Sequence, residues 1–366
     1  MVIQEEIQGK RALVKRLLAE EKLGGIYLKR SANFAWLTGG RYNLVGLATE
    51  TGVAGLLITG DRDYVICSNI EAPRMEKEEL LPEQGYEIRS FPWFEDKEAS
   101  LVAELSGGKA GSDCALSGTV DISGKINPLR WSLTPWEVER FRELGRLTAL
   151  AAEETVEEIR PGDTECAVVG RLAKRLWERG MDYILPFVAA DERISLFRHP
   201  VATTRKIQKR AMLSVNARKR GLIVSITRFV QFGKVPDSLA KLYRDTVEID
   251  CAFMAATAVG RPVVEAFEAG LAAYAQRGYR DEYKLHHQGG AIGYIGRDYK
   301  VSHSTKEIVR ENQGFTWNPS ITGSKSEDTM IATSAGPVIV SEPVVHPVLV
   351  VESGGYTFRR PDILEL

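Results

Sequence analysis

Apolar positions in the first third of the chain switch between helical and strand spacing. Residues 9–22, rich in Lys, Arg, Leu and Glu, place apolar side chains at helical intervals, and Gly24-Gly25-Ile26-Tyr27-Leu28 then reads as a strand. Ala54 to Ile58, a turn at Gly60-Asp61, and Tyr64 to Cys67 predict a hairpin. Such alternation implies an α/β layer structure. A break follows at about 122–135, where Ser123-Gly124 and Pro128 precede Thr134-Pro135-Trp136-Glu137, a capping box with Pro at the first helical position. Two long helices are predicted next, over about 135–158 and 164–179, separated by Arg160-Pro161-Gly162-Asp163 and closed by Gly180. Beyond residue 195 come short strands and another helix pair. Asp237 caps a helix running to about 257, and Gly260-Arg261-Pro262 separates it from one over about 263–276, ended by Gly278. The tail, about 312–365, reads as β-like runs punctuated by Gly and Pro, and no short-period repeat is visible.

With 366 residues the chain exceeds one ordinary core, so two domains are expected, 1–130 and 131–366. The charges nearly cancel, 48 Lys and Arg against 49 Asp and Glu, which argues against nucleic acid and against an acidic membrane surface as partners. Arg205-Lys206, Lys209-Arg210 and Arg218-Lys219-Arg220 make a basic run around one predicted hairpin, without the aromatic interleaving of a base-stacking platform. It reads as a solvated hairpin. No apolar run reaches the ~18 residues a spanning helix needs, and the start of the chain lacks the pattern of a signal peptide. A cytoplasmic protein is expected. Cys67, Cys114, Cys166 and Cys251 lie far apart, giving no zinc knuckle or redox motif; Cys166 and Cys251 are expected to be small buried helical residues.

Three segments carry a resemblance. They are Arg11 to Gly40, ending in Asn33-Phe34-Ala35-Trp36-Leu37-Thr38-Gly39; Thr134-Pro135-Trp136-Glu137-Val138-Glu139; and Ile159-Arg160-Pro161-Gly162-Asp163-Thr164-Glu165. In order and spacing they resemble the pita-bread family that holds aminopeptidase P, prolidase and creatinase. The resemblance implies an α/β N-terminal domain followed by an α+β pita-bread domain, an antiparallel sheet covered by helices. It also implies a homodimer in which one subunit's N-terminal domain helps close the other's pocket.

The metallopeptidases of that family hold two cations with two Asp, one His and two Glu. Here four of those five positions lack the ligand. The second Asp position, two residues before Thr227-Arg228, is Ser225. The first is Asn216 by spacing from the upstream His, or Ser214 by spacing from Ser225. The His position, set by the turn Ala291-Ile292-Gly293, is Gly290; the first Glu position is Asn318 before Pro319; Glu327 alone survives. Neutral Ser and Asn cannot offset the dehydration of two dications, so no metal and no cofactor is expected. A replacement site from His287, Gln288 and Glu327 is the weaker alternative, because adjacent residues His286 and His287 on a strand would face opposite sides.

His199, seventeen residues before Asn216, matches the family's substrate-side histidine, which moves protons in the peptidases and is the base in creatinase. An imidazole suits that work because its proton affinity lies near neutral pH. Glu327, with no cation beside it, would have a raised pKa and act as an acid or as a clamp for a cationic substrate; paired with Lys325 or Arg228 it would be structural. Arg297, where relatives carry His, would grip an anion or merely prop its loop with Asp298. His286, His287 and Gln288, with Asn318, Ser225 and Arg228, complete the expected substrate-binding set. His303 and His346 match nothing.

The expectation is a metal-independent hydrolase, in the manner of creatinase, cleaving a C–N or amide bond in a small polar compound or short peptide. The alternatives are a non-catalytic binding module and an Xaa-Pro peptidase with a rebuilt metal site.

Overall fold

The computed structural model describes residues 2–366, and the chain divides into two compact units, one ending at Arg130 and one starting at Trp131. The first unit is built on six strands: β1 (Gly25–Arg30), β2 (Thr51–Thr59), β3 (Asp63–Ser68), β4 (Tyr86–Phe91), β5 (Ala110–Ser112) and β6 (Thr119–Asp121). Their spatial order is β4-β3-β2-β1-β5-β6. The predicted hairpin is present as β2–β3, paired antiparallel from Ala54 opposite Cys67 to Ile58 opposite Asp63. Strand β1 pairs antiparallel with β2 and parallel with β5, so the sheet is mixed. Its core gathers Tyr27, Leu57, Ile66, Val102 and Ala110. Gly55 lets the Tyr27 ring lie flat on the sheet, since a Cβ there would meet ring atoms at 2.2 Å. The first helix runs Val2–Glu20, longer than its periodicity predicts, because buried Ile7 and the buried Glu6–Lys10 pair extend its inner face.

The Asn33-Phe34-Ala35-Trp36 motif proves to be structural. Asn33 donates to the Asp113 carboxylate at 2.9 Å and accepts from Arg130 at 2.8 Å, while Phe34 and Trp36 are buried.

In the second unit the capping box forms as the sequence predicts. Thr134 N–H donates to Glu137 Oε2 at 2.8 Å, and the Thr134 hydroxyl accepts from Glu137 N–H at 3.3 Å. Helices follow over Pro135–Glu157, Glu165–Glu178, Asp237–Ala256 and Val263–Gln276. Strands β7 (Asp182–Ala190), β8 (Arg210–Lys219), β9 (Leu222–Gln231) and the short β19 (Leu364–Glu365) form a sheet in the order β19-β9-β8-β7. A second sheet has the order β11-β10-β12-β15-β16, from Tyr299–Lys300, Gly289–Ala291, Gln313–Trp317, Asp328–Thr333 and Gly336–Ile339. Every pairing in these sheets is antiparallel except that of β19 with β9. The remaining strands pair as two ribbons, β13 (Ser320–Ile321) with β14 (Ser324–Lys325), and β17 (Val348–Ser353) with β18 (Tyr356–Pro361). Pro135–Glu157 packs on β8 and β9.

One cysteine departs from expectation. Cys251 is buried, but Cys166 is exposed. Val168, Leu172 and Leu176 form the buried stripe of its helix, and two residues of helical turn carry Cys166 away from them. The basic hairpin is β8–β9, where Arg218 is tied to Asp182 and Lys219 to Glu143. Among the described residues no helix is long and apolar enough to cross a membrane.

Candidate functional site

The two sheets of the second unit meet at Glu327, whose backbone oxygen accepts from the N–H of Thr227 on β9 at 2.9 Å. Antiparallel register sets Ser214 beside Thr227 and Asn216 beside Ser225. A cavity of about 140 Å³ opens at this junction, lined by Phe187, His199, Ser214, Asn216, His287, Arg297, Asn318, Lys325 and Glu327. The first-ligand alternatives Ser214 and Asn216 both line it, because they lie two apart on one strand.

Glu327 is not a lone carboxylate: of the two partners the structural alternative named it has Lys325 and not Arg228, and Arg297 joins the pair. Its Oε1 accepts from Arg297 Nη2 at 3.1 Å, and its Oε2 lies 2.8 Å from Lys325 Nζ and accepts from the Thr227 hydroxyl at 3.0 Å. Burial would raise its pKa, but Lys325 and Arg297, helped by Thr227, hold it down at about 2. It therefore stays ionised, and the expected role as a proton donor is corrected. Lys325 also donates to Ser214 Oγ at 3.3 Å.

Three further expectations are corrected. Arg228, expected to bind substrate, is fully buried and faces away from the cavity. It donates to Glu153 Oε1 and Asp328 Oδ1, each at 3.0 Å, and to the Ser341 carbonyl at 2.9 Å. Ser225 is fully buried too; its N–H and carbonyl both bond the Thr329 hydroxyl at 2.9 Å, and its Oγ accepts from Arg297 at 3.4 Å. It supports Arg297 rather than touching the cavity. Gln288 turns inward, accepting from Tyr274 at 2.9 Å and donating to the His286 carbonyl at 2.6 Å.

The histidines also differ from expectation. His286 and His287 precede β10 and pair in no strand; His286 has extended backbone, yet the two rings are not parted. Both rings turn towards His199, with His286 Nε2 3.0 Å from His199 Nε2 and the His286 and His287 ring centres 4.4 Å apart. Burial, then Lys325, brings the His286 pKa to about 2; burial, then Arg297 and Lys300, brings His287 to about 3. His199, more exposed, is shifted down in the same sense by burial and Lys325. All three are neutral near pH 7. Asn318 lies in the cavity wall at 3% exposure with its Oδ1 unpartnered, and the buried Arg297 Nε and His286 Nδ1 have no hydrogen-bond partner either. Of these residues Arg297 and Asn318 line the cavity.

The sequence model of metallopeptidase family M24 matches residues 139–339. The chain belongs to this family. An uncharacterized peptidase of Staphylococcus aureus is 22% identical over 228 residues, which is 60% of this chain and 64% of that relative, so less than two thirds of the relative is matched. The prolidase of Thermococcus sibiricus superposes with a TM-score of 0.80 at 17% identity, each chain covered fully. The Xaa-Pro dipeptidase of Bacillus anthracis gives 0.77 at 20% identity, covering 98% of this chain and 100% of that one. These likenesses show the fold, an N-terminal domain followed by a pita-bread domain.

This M24 member does not fit the metal pair that the family name implies. The five positions hold Ser214 or Asn216, Ser225, Gly290, Asn318 and Glu327, and the one carboxylate is already engaged by two side-chain cations. Gly290 admits no ligand at all. Its φ is +153° and a Cβ would stand 2.1 Å from the Tyr299 carbonyl oxygen. Stripping two dications of water for hydroxyls and amides leaves their hydration uncompensated.

Lys325 as a cavity-lining group is absent from the expected site set. A signal existed, since it lies two residues before the only surviving carboxylate, but sequence offers no means of telling a pocket ammonium from a surface one. Phe187, whose ring centre lies 5.5 Å from that of His199, gave no signal beyond strand alternation.

Proposed function

We propose that this M24 member is a metal-independent hydrolase that cleaves a C–N or amide bond in a small polar compound bearing an acidic group. The observation that carries the reading is Glu327 held between the Lys325 ammonium and the Arg297 guanidinium, at 2.8 and 3.1 Å. Two side-chain cations on one carboxylate leave the charged wall of the cavity with one net positive charge, which suits an anionic group on the ligand. The cavity volume of about 140 Å³ suits a small compound.

In this reading neutral His199 takes a proton from water as the oxygen attacks the substrate carbon, with His286 bonded behind it at 3.0 Å. Lys325 and Arg297 face the negative charge that develops on the substrate oxygen, the role of prepositioned donors in a water-poor site. His199 then returns its proton to the departing nitrogen as the C–N bond breaks. The unpartnered Asn318 Oδ1 positions a substrate N–H. Glu327 holds the two cations and exchanges no proton. The homodimer and the cytoplasmic setting expected from the sequence belong to the same proposal.

The test is turnover of amide, guanidino and dipeptide compounds, each with a free carboxylate, by purified protein in the presence of chelator. Activity that survives chelation and is lost in His199→Ala is expected. Inactivity across all three classes, or activity abolished by chelator and restored by added metal, would overturn the reading.

A further inference from the structure

We infer that His199, His286 and His287 form a mononuclear site for a borderline divalent ion, Zn²⁺ or Cu²⁺, at the mouth of the cavity and apart from the family's metal positions. One ring nitrogen from each of the three lies within 4.8 Å of the other two. The two Nε2 atoms of His199 and His286, 3.0 Å apart and within hydrogen-bond distance, already converge on one point. Three nitrogens at the usual ~2.0–2.1 Å from zinc stand roughly 3.4 Å apart in tetrahedral geometry, so small ring rotations bring this set onto an ion. Imidazole nitrogen is a donor type that selects zinc and copper over magnesium or calcium.

The surroundings support the set. Gln288 bonds the carbonyls of His286 and Tyr283, at 2.6 and 3.3 Å, and fixes the turn that points both neighbouring rings the same way. The buried His286 Nδ1 has no partner, so no competing bond commits that ring to one tautomer. His199 is exposed, which gives an ion a path in and leaves coordination positions for water or ligand. Lys325 and Arg297 oppose a dication and Glu327 favours it, so the neighbouring charges weaken the site without abolishing it. None of the three ligands is one of the five family positions, and Gly290 in particular contributes nothing. A bound ion occupies the His199 lone pair, so zinc would inhibit the hydrolysis proposed above. That consequence rests on the proposed function, whereas the site itself does not.

The experiment is titration of the full-length, chelator-stripped protein with Zn²⁺ against a competing indicator, with Co²⁺ absorption and X-ray absorption at zinc to identify ligands. One equivalent bound through three imidazoles is expected. His286→Asn and His199→Gln should each weaken binding tenfold or more, while circular dichroism confirms that both remain folded; the second alters an exposed residue and guards against a folding defect in the first. No binding at millimolar zinc, affinity unchanged in both variants, or ligation through sulfur would overturn the inference whatever the outcome of the turnover assay.

Discussion

Glu327 and Asp328 are adjacent in sequence, yet they belong to different regions. Asp328 joins the frame. With Glu153 and Asp250 it surrounds Arg228 and Arg360, and all five side chains are fully buried. Glu327 belongs to the cavity, where its cations Arg297 and Lys325 keep 13% and 8% of their side-chain surface exposed. Both regions neutralise carboxylates with side-chain cations. In the frame the ions are enclosed by one another, by backbone groups, by the Ser326 and Ser341 hydroxyls and by the Met254 sulfur, whereas in the second region charged side chains line an open cavity. The frame is therefore where stability resides, and the cavity is where binding is possible.

The largest effect should come from the frame. Arg228→Met leaves Glu153 and Asp328 buried without their shared partner and should cost about 3–5 kcal/mol, read by urea denaturation. A loss below about 1 kcal/mol would erase the distinction between the regions. Next is Gly290→His, which restores the family's missing ligand in name only. The Tyr299 carbonyl and the positive φ should make it destabilising by about 1–3 kcal/mol or more, with no gain in bound metal by elemental analysis. A stable variant that gains a bound dication would show that this position can still serve as a metal ligand.

The third prediction concerns pH. His286 and His287 have folded pKa values of about 2 and 3, below their ordinary 6.5, so between those values the unfolded chain binds more protons. Their contribution to stability is present above pH 6.5 and declines as pH falls towards 3, by about 1.4 kcal/mol per pH unit for each proton. Glu327, depressed from 4.5 to about 2, adds to the decline in its own lower window. Unfolding followed from pH 7 to 4 should show this slope, and His286→Asn should flatten it. An unchanged slope would place those rings in water. The smallest effect on stability should be at exposed His199. His199→Gln should shift unfolding by no more than about 0.5 kcal/mol, while turnover falls by about 10²–10⁴. A large stability loss there would move His199 into the frame.

The fold was legible because it is written in local patterns. The Thr134–Glu137 box, the β2–β3 hairpin and the helix pair around Gly260 each depend on residues a few positions apart, and each is present. The site was legible only in part. The residues at the four emptied ligand positions could be read from spacing, and the structure places Asn318 and both first-ligand alternatives in the cavity wall. What failed was direction. Arg228, Ser225 and Gln288 are near the site in sequence and in space, but their side chains point into the core or brace a neighbour. His286 and His287 were expected to diverge, because strand alternation was assumed for a segment that pairs in no strand.

The sequence by itself determined the family, the order of elements and which residue types stand where the resemblance would place metal ligands, since each is a matter of residue type at a fixed spacing. Tertiary structure alone decided between a lone Glu327 and one paired with Lys325, added Arg297 to that pair, so that its pKa falls rather than rises, and brought three histidines from two distant segments together. Those outcomes depend on side-chain direction and on charges brought together from far along the chain, to which spacing is blind.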